Sequence, residues 1–130
     1  MKRFLVAVTV MWFNADGSEE AVETRYHVEY GTTPAVAARR TMIKVADADK
    51  AYSRNNPDSI SRCSILLFVE ALSERKINIL YQEYRLADIR YNHYKILIRD
   101  FDRDYLVEER DIYGALATTL GKILDAIDAA

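Results

Sequence analysis

Cys63 is the only cysteine in a chain of 130 residues, which also has just two prolines and four glycines. One thiol closes no internal disulfide, so the cysteine usage gives no reason to expect an oxidising compartment, and the expected location is cytoplasmic. With so little proline and glycine there is no linker-like stretch, which predicts one α+β domain over 1–130. No stretch approaches the eighteen or so uncharged apolar residues that a membrane-crossing helix needs. Lys2 and Arg3 precede an apolar run at 4–13 in the manner of an export signal. Against that reading, Thr9 interrupts the run, and Trp12 and Phe13 stand where small cleavage-site residues belong. No motif implies a reaction or a cofactor, so the expected protein is not an enzyme.

Half of the residues are hydrophobic and 29% are charged, the balance of a folded globular chain. The net charge of -2 is unevenly spread. Residues 1–38 hold three Lys or Arg against five Asp or Glu, residues 39–99 twelve against seven, and residues 100–130 three against eight. A basic middle and an acidic tail suit either an anion-binding face or attraction between parts of the fold.

Alternation of apolar and polar residues over 3–30, broken at Asn14-Ala15-Asp16-Gly17-Ser18, predicts a β-hairpin. Thr33-Pro34 then opens a helix whose apolar stripe is Ala35, Ala38, Met42, Val45 and Tyr52. Residues 60–72 have an unbroken apolar centre, Ile65 to Val69, and follow Asn56-Pro57-Asp58, which reads as a helix cap. They are therefore expected to form a central buried helix, about 57–75, packed on one face of the sheet. Residues 77–86 fit a helix better than a strand. From Ile89 the alternation resumes, and with an acidic turn at 100–104 and a strand at 105–109 it predicts a second hairpin at about 89–110. Asp111 then caps a last helix carrying Ile112, Leu116, Leu120, Ile123 and Ile127. The expected architecture is an α+β fold in which two β-hairpins, each followed by a helix, give an antiparallel sheet of at least four strands.

Candidate sites are few. Asp100, Asp102, Asp104, Glu108 and Asp111 occupy the first, third, fifth, ninth and twelfth places of a twelve-residue window, which resembles the calcium loop of the EF-hand. Tyr105 replaces the glycine that family needs for its sharp turn, and Asp111 replaces its bidentate Glu. A metal-binding protein or metal-dependent enzyme using Asp100, Asp102 and Asp104 is thus one alternative. Cys63 with His27 or His93 is the only nucleophile pair on offer, and its cysteine is expected in the core.

Four of the nine tyrosines, Tyr81, Tyr84, Tyr91 and Tyr94, fall close together and alternate with Arg85, Arg90 and Lys95. Tyrosine offers a large contact area with a polar tip and loses little entropy on burial, so this segment is the expected surface for a protein partner. Basic and aromatic residues interleaved also suit single-stranded nucleic acid, for which Arg39, Arg40, Lys44, Arg85 and Arg90 are the candidates. The sequence pI near 5.7 argues against that use. Gly114, Ala117, Thr118 and Gly121 make a small-residue face on the last helix, suited to a homodimer contact or to a close internal one with the 57–75 helix. The expected function is a small non-enzymatic binding protein. In scale and style it is similar to accessory proteins of phages and mobile elements, some of which are inhibitors of host defence complexes.

Overall fold

A computed structural model describes residues 1–56 and 60–130, and the side chains of all of these except Ile60. The order of elements is β1 (Lys2–Asn14), β2 (Glu19–Gly31), α1 (Pro34–Asn55), β3 (Ile60–Ala71), α2 (Glu74–Asp100) and α3 (Asp104–Asp128). The α+β class and the antiparallel sheet are as expected. The chain divides into two compact units, one from Met1–Leu72 together with Ala130, the other from Ser73–Ala129.

In the first unit the strand order is β2-β1-β3, with both neighbours antiparallel to β1. The first hairpin forms as its alternation requires. Gly17 takes φ 86°, and Asp16 Oδ1 accepts from the Ser18 N–H at 2.9 Å and from its hydroxyl at 2.6 Å, which holds the Asp16 carboxyl below the usual carboxylate range. Thr33 caps α1 by accepting from the Val36 N–H at 3.2 Å, with Pro34 at the first position. Asn56 closes the helix: its backbone and side-chain N–H groups both donate to the Tyr52 carbonyl.

The even-numbered residues of β1 face α1, and Val6, Val8, Val10 and Val45 form the core, with Trp12, Met42 and Val69 packed on it. His27 lies beside Val6 on the same sheet face, and burial together with the Arg25 charge holds its imidazole below the ordinary pKa. At the far end of that face Arg62 sits against Asp49 (Nε–Oδ1 2.7 Å) and over the rings of Trp12 and Tyr52. Asp49 also accepts from the Ser64 hydroxyl at 3.0 Å.

Three expectations are corrected. The segment assigned to a central buried helix at 57–75 is strand β3, paired with β1 from Asn14↔Ile60 to Phe4↔Ala71; Pro57 and Asp58 of the supposed cap lie outside the described residues. An unbroken apolar run has no period to separate helix from strand, and β-branched and aromatic residues with an unfilled edge of β1 to pair with decide for strand. The helix that does pack on a face of the sheet is α1. Nor is the run enclosed, since Ile65, Leu66, Leu67 and Phe68 on this edge strand are all exposed. The register shift between Ala7 and Val8 leaves Leu67 without a partner on β1.

The second hairpin, at 89–110, is absent. Those residues are the end of α2, the 101–103 connection and the start of α3, so the described sheet has three strands and not four. The apparent alternation at 94–98 belongs to a longer helical stripe, Ile77, Leu80, Tyr84, Ala87, Tyr91, Tyr94 and Ile98, whose three- and four-residue steps run on from the Ser73 cap. The last helix begins at Asp104, seven residues before the expected Asp111 cap. No helix among the described residues is long and apolar enough to cross a membrane.

Candidate functional site

The second unit is an antiparallel pair of helices, α2 and α3, and its geometry follows from two matched spacings. Tyr84 and Tyr91 are seven residues apart, two turns along one face of α2, and Gly121 and Gly114 are seven apart on α3. The helices run in opposite directions, so Tyr84 meets Gly121 and Tyr91 meets Gly114. A methyl group on Gly121 would sit 3.5 Å from the Tyr84 ring, and one on Gly114 would sit 3.1 Å from the Tyr91 ring. The small-residue face of the last helix is therefore filled from within by tyrosine rings of α2. The close partner expected for it was the 57–75 segment, which is a strand in the other unit.

The remaining tyrosines extend this seam. Tyr94 stacks on Tyr113 with centroids 5.7 Å apart and planes 6° apart, and the Arg90 guanidinium lies 5.3 Å from the Tyr113 ring. Lys95 Nζ stands 5.5 Å from the Tyr91 ring. At the other end the Tyr81 hydroxyl donates to Asp128 at 2.8 Å; this hydrogen bond, with the nearby Asp125 charge, pushes the phenol above its ordinary pKa.

Along one side of the seam runs an open furrow. Its first part encloses about 770 Å³ between Tyr81, Tyr84, Arg85 and Asp88 on α2 and Leu124, Asp125 and Asp128 on α3. A second part of about 670 Å³ continues past Tyr91 to Asp111, Thr118 and Lys122, sharing Tyr84, Asp88, Gly121 and Asp125 with the first. Carboxylates outnumber cations in its lining: Asp88, Asp111, Asp125 and Asp128 against Arg85 and Lys122. Asp111 is paired with Arg110, whereas Asp88 and Asp125 make no ion pair with a described side chain.

Of the residues expected to meet a protein partner, Tyr81, Tyr84, Arg85 and Tyr91 line this furrow, while Arg90, Tyr94 and Lys95 lie on the seam or its flank. The basic residues considered for nucleic acid do not share one unit: Arg39, Arg40 and Lys44 are on α1, Arg85 and Arg90 on α2. Two of the first set hold α1 to β2, Arg40 by donating to the Tyr30 carbonyl at 2.8 Å and Lys44 through Glu29 at 2.7 Å. Burial alone would raise the Glu29 carboxyl, but Lys44, the Tyr30 N–H and the Arg40 charge outweigh it and hold the group below the usual range.

Asp100 ends α2, Asp102 lies in the connection and Asp104 begins α3, so the acidic turn is a helix-to-helix junction rather than a hairpin. Among the described residues, no three His, Cys, Asp or Glu side chains are grouped to hold a metal ion. Cys63 is exposed on β3 opposite Met11, contrary to the core position expected for it. His27 faces the other side of the sheet, and His93 belongs to α2. The α3 wall of the furrow, Asp125, Asp128 and Lys122, was not among the expected site residues. The paired seven-residue spacings of tyrosine and glycine were the signal that would have found it. No protein-family model, curated protein or solved structure matches the chain.

Proposed function

We propose that this chain is a non-enzymatic binding module, an accessory or inhibitor type of protein, that docks on a protein partner along the α2–α3 furrow. The observation that supports this reading is the row of tyrosines along α2, held in place by the glycines of α3 while Tyr81 and Tyr84 still show 43% and 37% of their surface. A ring already seated against the backbone of a neighbouring helix loses little freedom when a partner covers its outer face, and a rigid aromatic flanked by charge is what protein interfaces use as an anchor. The excess of carboxylates around the same rings disfavours the phosphate backbone of a nucleic acid.

The test is capture from lysate with wild type and a Tyr81→Ser, Tyr84→Ser double variant, both substitutions lying on exposed positions of α2 and neither altering charge. The variant should keep its helical circular dichroism and lose the partner that wild type retains. Equal recovery of partners by the two proteins would overturn the reading. Recovery of nuclease-sensitive material alone would transfer it to nucleic acid.

A further inference from the structure

The charge and backbone chemistry of the furrow point to a particular kind of occupant. A partner that approaches as an extended strand gains affinity from main-chain hydrogen bonds to an open sheet edge. The furrow has no such edge. Along α2 and α3 the backbone N–H and C=O groups are consumed in helical ladders, so a strand laid there would leave its own polar groups without protein partners. A helix arrives with its backbone already satisfied and needs only side-chain contacts.

The dimensions agree with a helix. The lining on α2 runs from Asn78 to Tyr91, a length of about 20 Å at the α-helical rise, or nearly four turns. On α3 the lining facing this length runs from Asp111 to Asp128, and because the Tyr91 and Tyr84 rings seat on Gly114 and Gly121 an occupant rests on the outer faces of the rings. The charges set the sign of the occupant. Asp88 on α2 and Asp125 on α3 both line the shared middle of the furrow and make no ion pair with a described side chain, while Asp128 and Asp111 mark its two ends.

Resting on the reading of the furrow as a protein-docking site, we infer that its occupant is a cationic amphipathic α-helix of a partner protein. The helix lays its apolar side on the exposed faces of Tyr81 and Tyr84 and places Lys or Arg against Asp88 and Asp125. Arg85 and Lys122 in the lining repel a basic partner less strongly than the four carboxylates attract it, so discrimination is electrostatic and weakens with salt.

The experiment is fluorescence anisotropy of the full chain with three labelled peptides of about 18 residues, five helical turns: an amphipathic Leu/Lys helix, the Leu/Glu helix of identical pattern, and a Leu/Lys peptide of scrambled pattern. The Leu/Lys helix should bind at least tenfold more tightly than either control, and added salt should weaken it. Asp88→Asn with Asp125→Asn should weaken it at least tenfold, whereas Glu20→Gln with Asp47→Asn, an equal loss of charge on the other unit, should leave it unchanged. Thr118→Trp, which fills the furrow without altering charge, should abolish binding. Equal binding of the Leu/Glu or scrambled peptide, equal effects of the two charge-removing variants, or unaltered binding by the Thr118 variant overturns the inference. If no peptide binds while the Tyr81, Tyr84 variant still loses its lysate partner, the helical cationic occupant is wrong and the docking site stands. If that variant recovers the same proteins as wild type, the docking site itself falls.

Discussion

In the sheet unit, Phe4, Leu5, Val6, Ala7, Val8 and Val10 retain 2% of their surface or less, whereas Leu80, Leu106, Leu120 and Leu124 of the helical unit still show 5% and Ile77 shows 9%. The difference is geometric. A residue on the central strand is flanked by β2 and β3, and on its even-numbered face it is capped by α1. Two helices touch along one line and hide only the positions on that line. Leu86, Ile89, Ile96, Ile112 and Leu116 are what the second arrangement leaves in water. The central strand of the first unit is thus enclosed more completely than any element of the second, whose helices leave more large apolar side chains in water.

The largest expected effect breaks this contrast at its centre. Val8→Asp places an unpaired carboxylate at a position with no exposed surface and should cost more than about 4 kcal/mol, unfolding the sheet unit. Leu116→Asp on α3 should cost about 1 kcal/mol or less. Urea denaturation followed by circular dichroism measures both, and comparable losses would show that the helical unit is as enclosed as the sheet.

Ion pairs sharpen the same comparison. The Asp49 and Arg62 side chains are only 13% and 12% exposed, so Asp49→Ala, which strands the guanidinium, should cost about 2 kcal/mol, less than a fully buried pair would. Asp111→Ala removes the exposed partner of Arg110 and should cost about 0.5 kcal/mol or less by the same measurement.

The two glycines of α3 give a smaller and signed test. Gly121→Ala adds a methyl at ordinary contact distance and gains helix propensity, so it should stabilise by up to about 1 kcal/mol. Gly114→Ala meets the Tyr91 ring at 3.1 Å, and the propensity gain should be cancelled or reversed. Thermal melts of the two variants should move apart, and equal shifts would mean that the rings do not seat on the glycines as described.

The smallest effect is with pH. His27 has its pKa lowered in the folded chain, so the unfolded chain takes up the proton first as pH falls. The His27 contribution is complete above the ordinary histidine range and is lost as pH falls through that range toward the folded value. Between about pH 7.5 and 5.5 the lowered Asp16 and Glu29 groups stay ionised and contribute no slope of their own. The melting temperature of wild type should therefore decrease over this window, and that of His27→Gln should change less. Identical slopes would remove His27 as the source.

Several elements were readable from local chemistry alone. The hairpin of β1 and β2, its Gly17 turn and the Thr33-Pro34 start of α1 each depend on residues near one another in the chain, where turn preferences, capping and periodicity act directly. The site was legible by one wall only, because residues 81–91 and 111–128 meet through a seven-residue match between two separate helices.

The amino-acid order by itself determined which segments are amphipathic, where α1 begins and that Tyr and Arg residues share one stretch near residue 85. Tertiary structure decided whether Ile65 to Val69 is strand or helix, whether 89–110 turns back or runs on, and which face of α3 receives the tyrosines. A continuous apolar run and a short alternating one are each compatible with two backbones, and the choice is made by what lies alongside: an unfilled edge of β1 for the first, and the seam with α3 for the second.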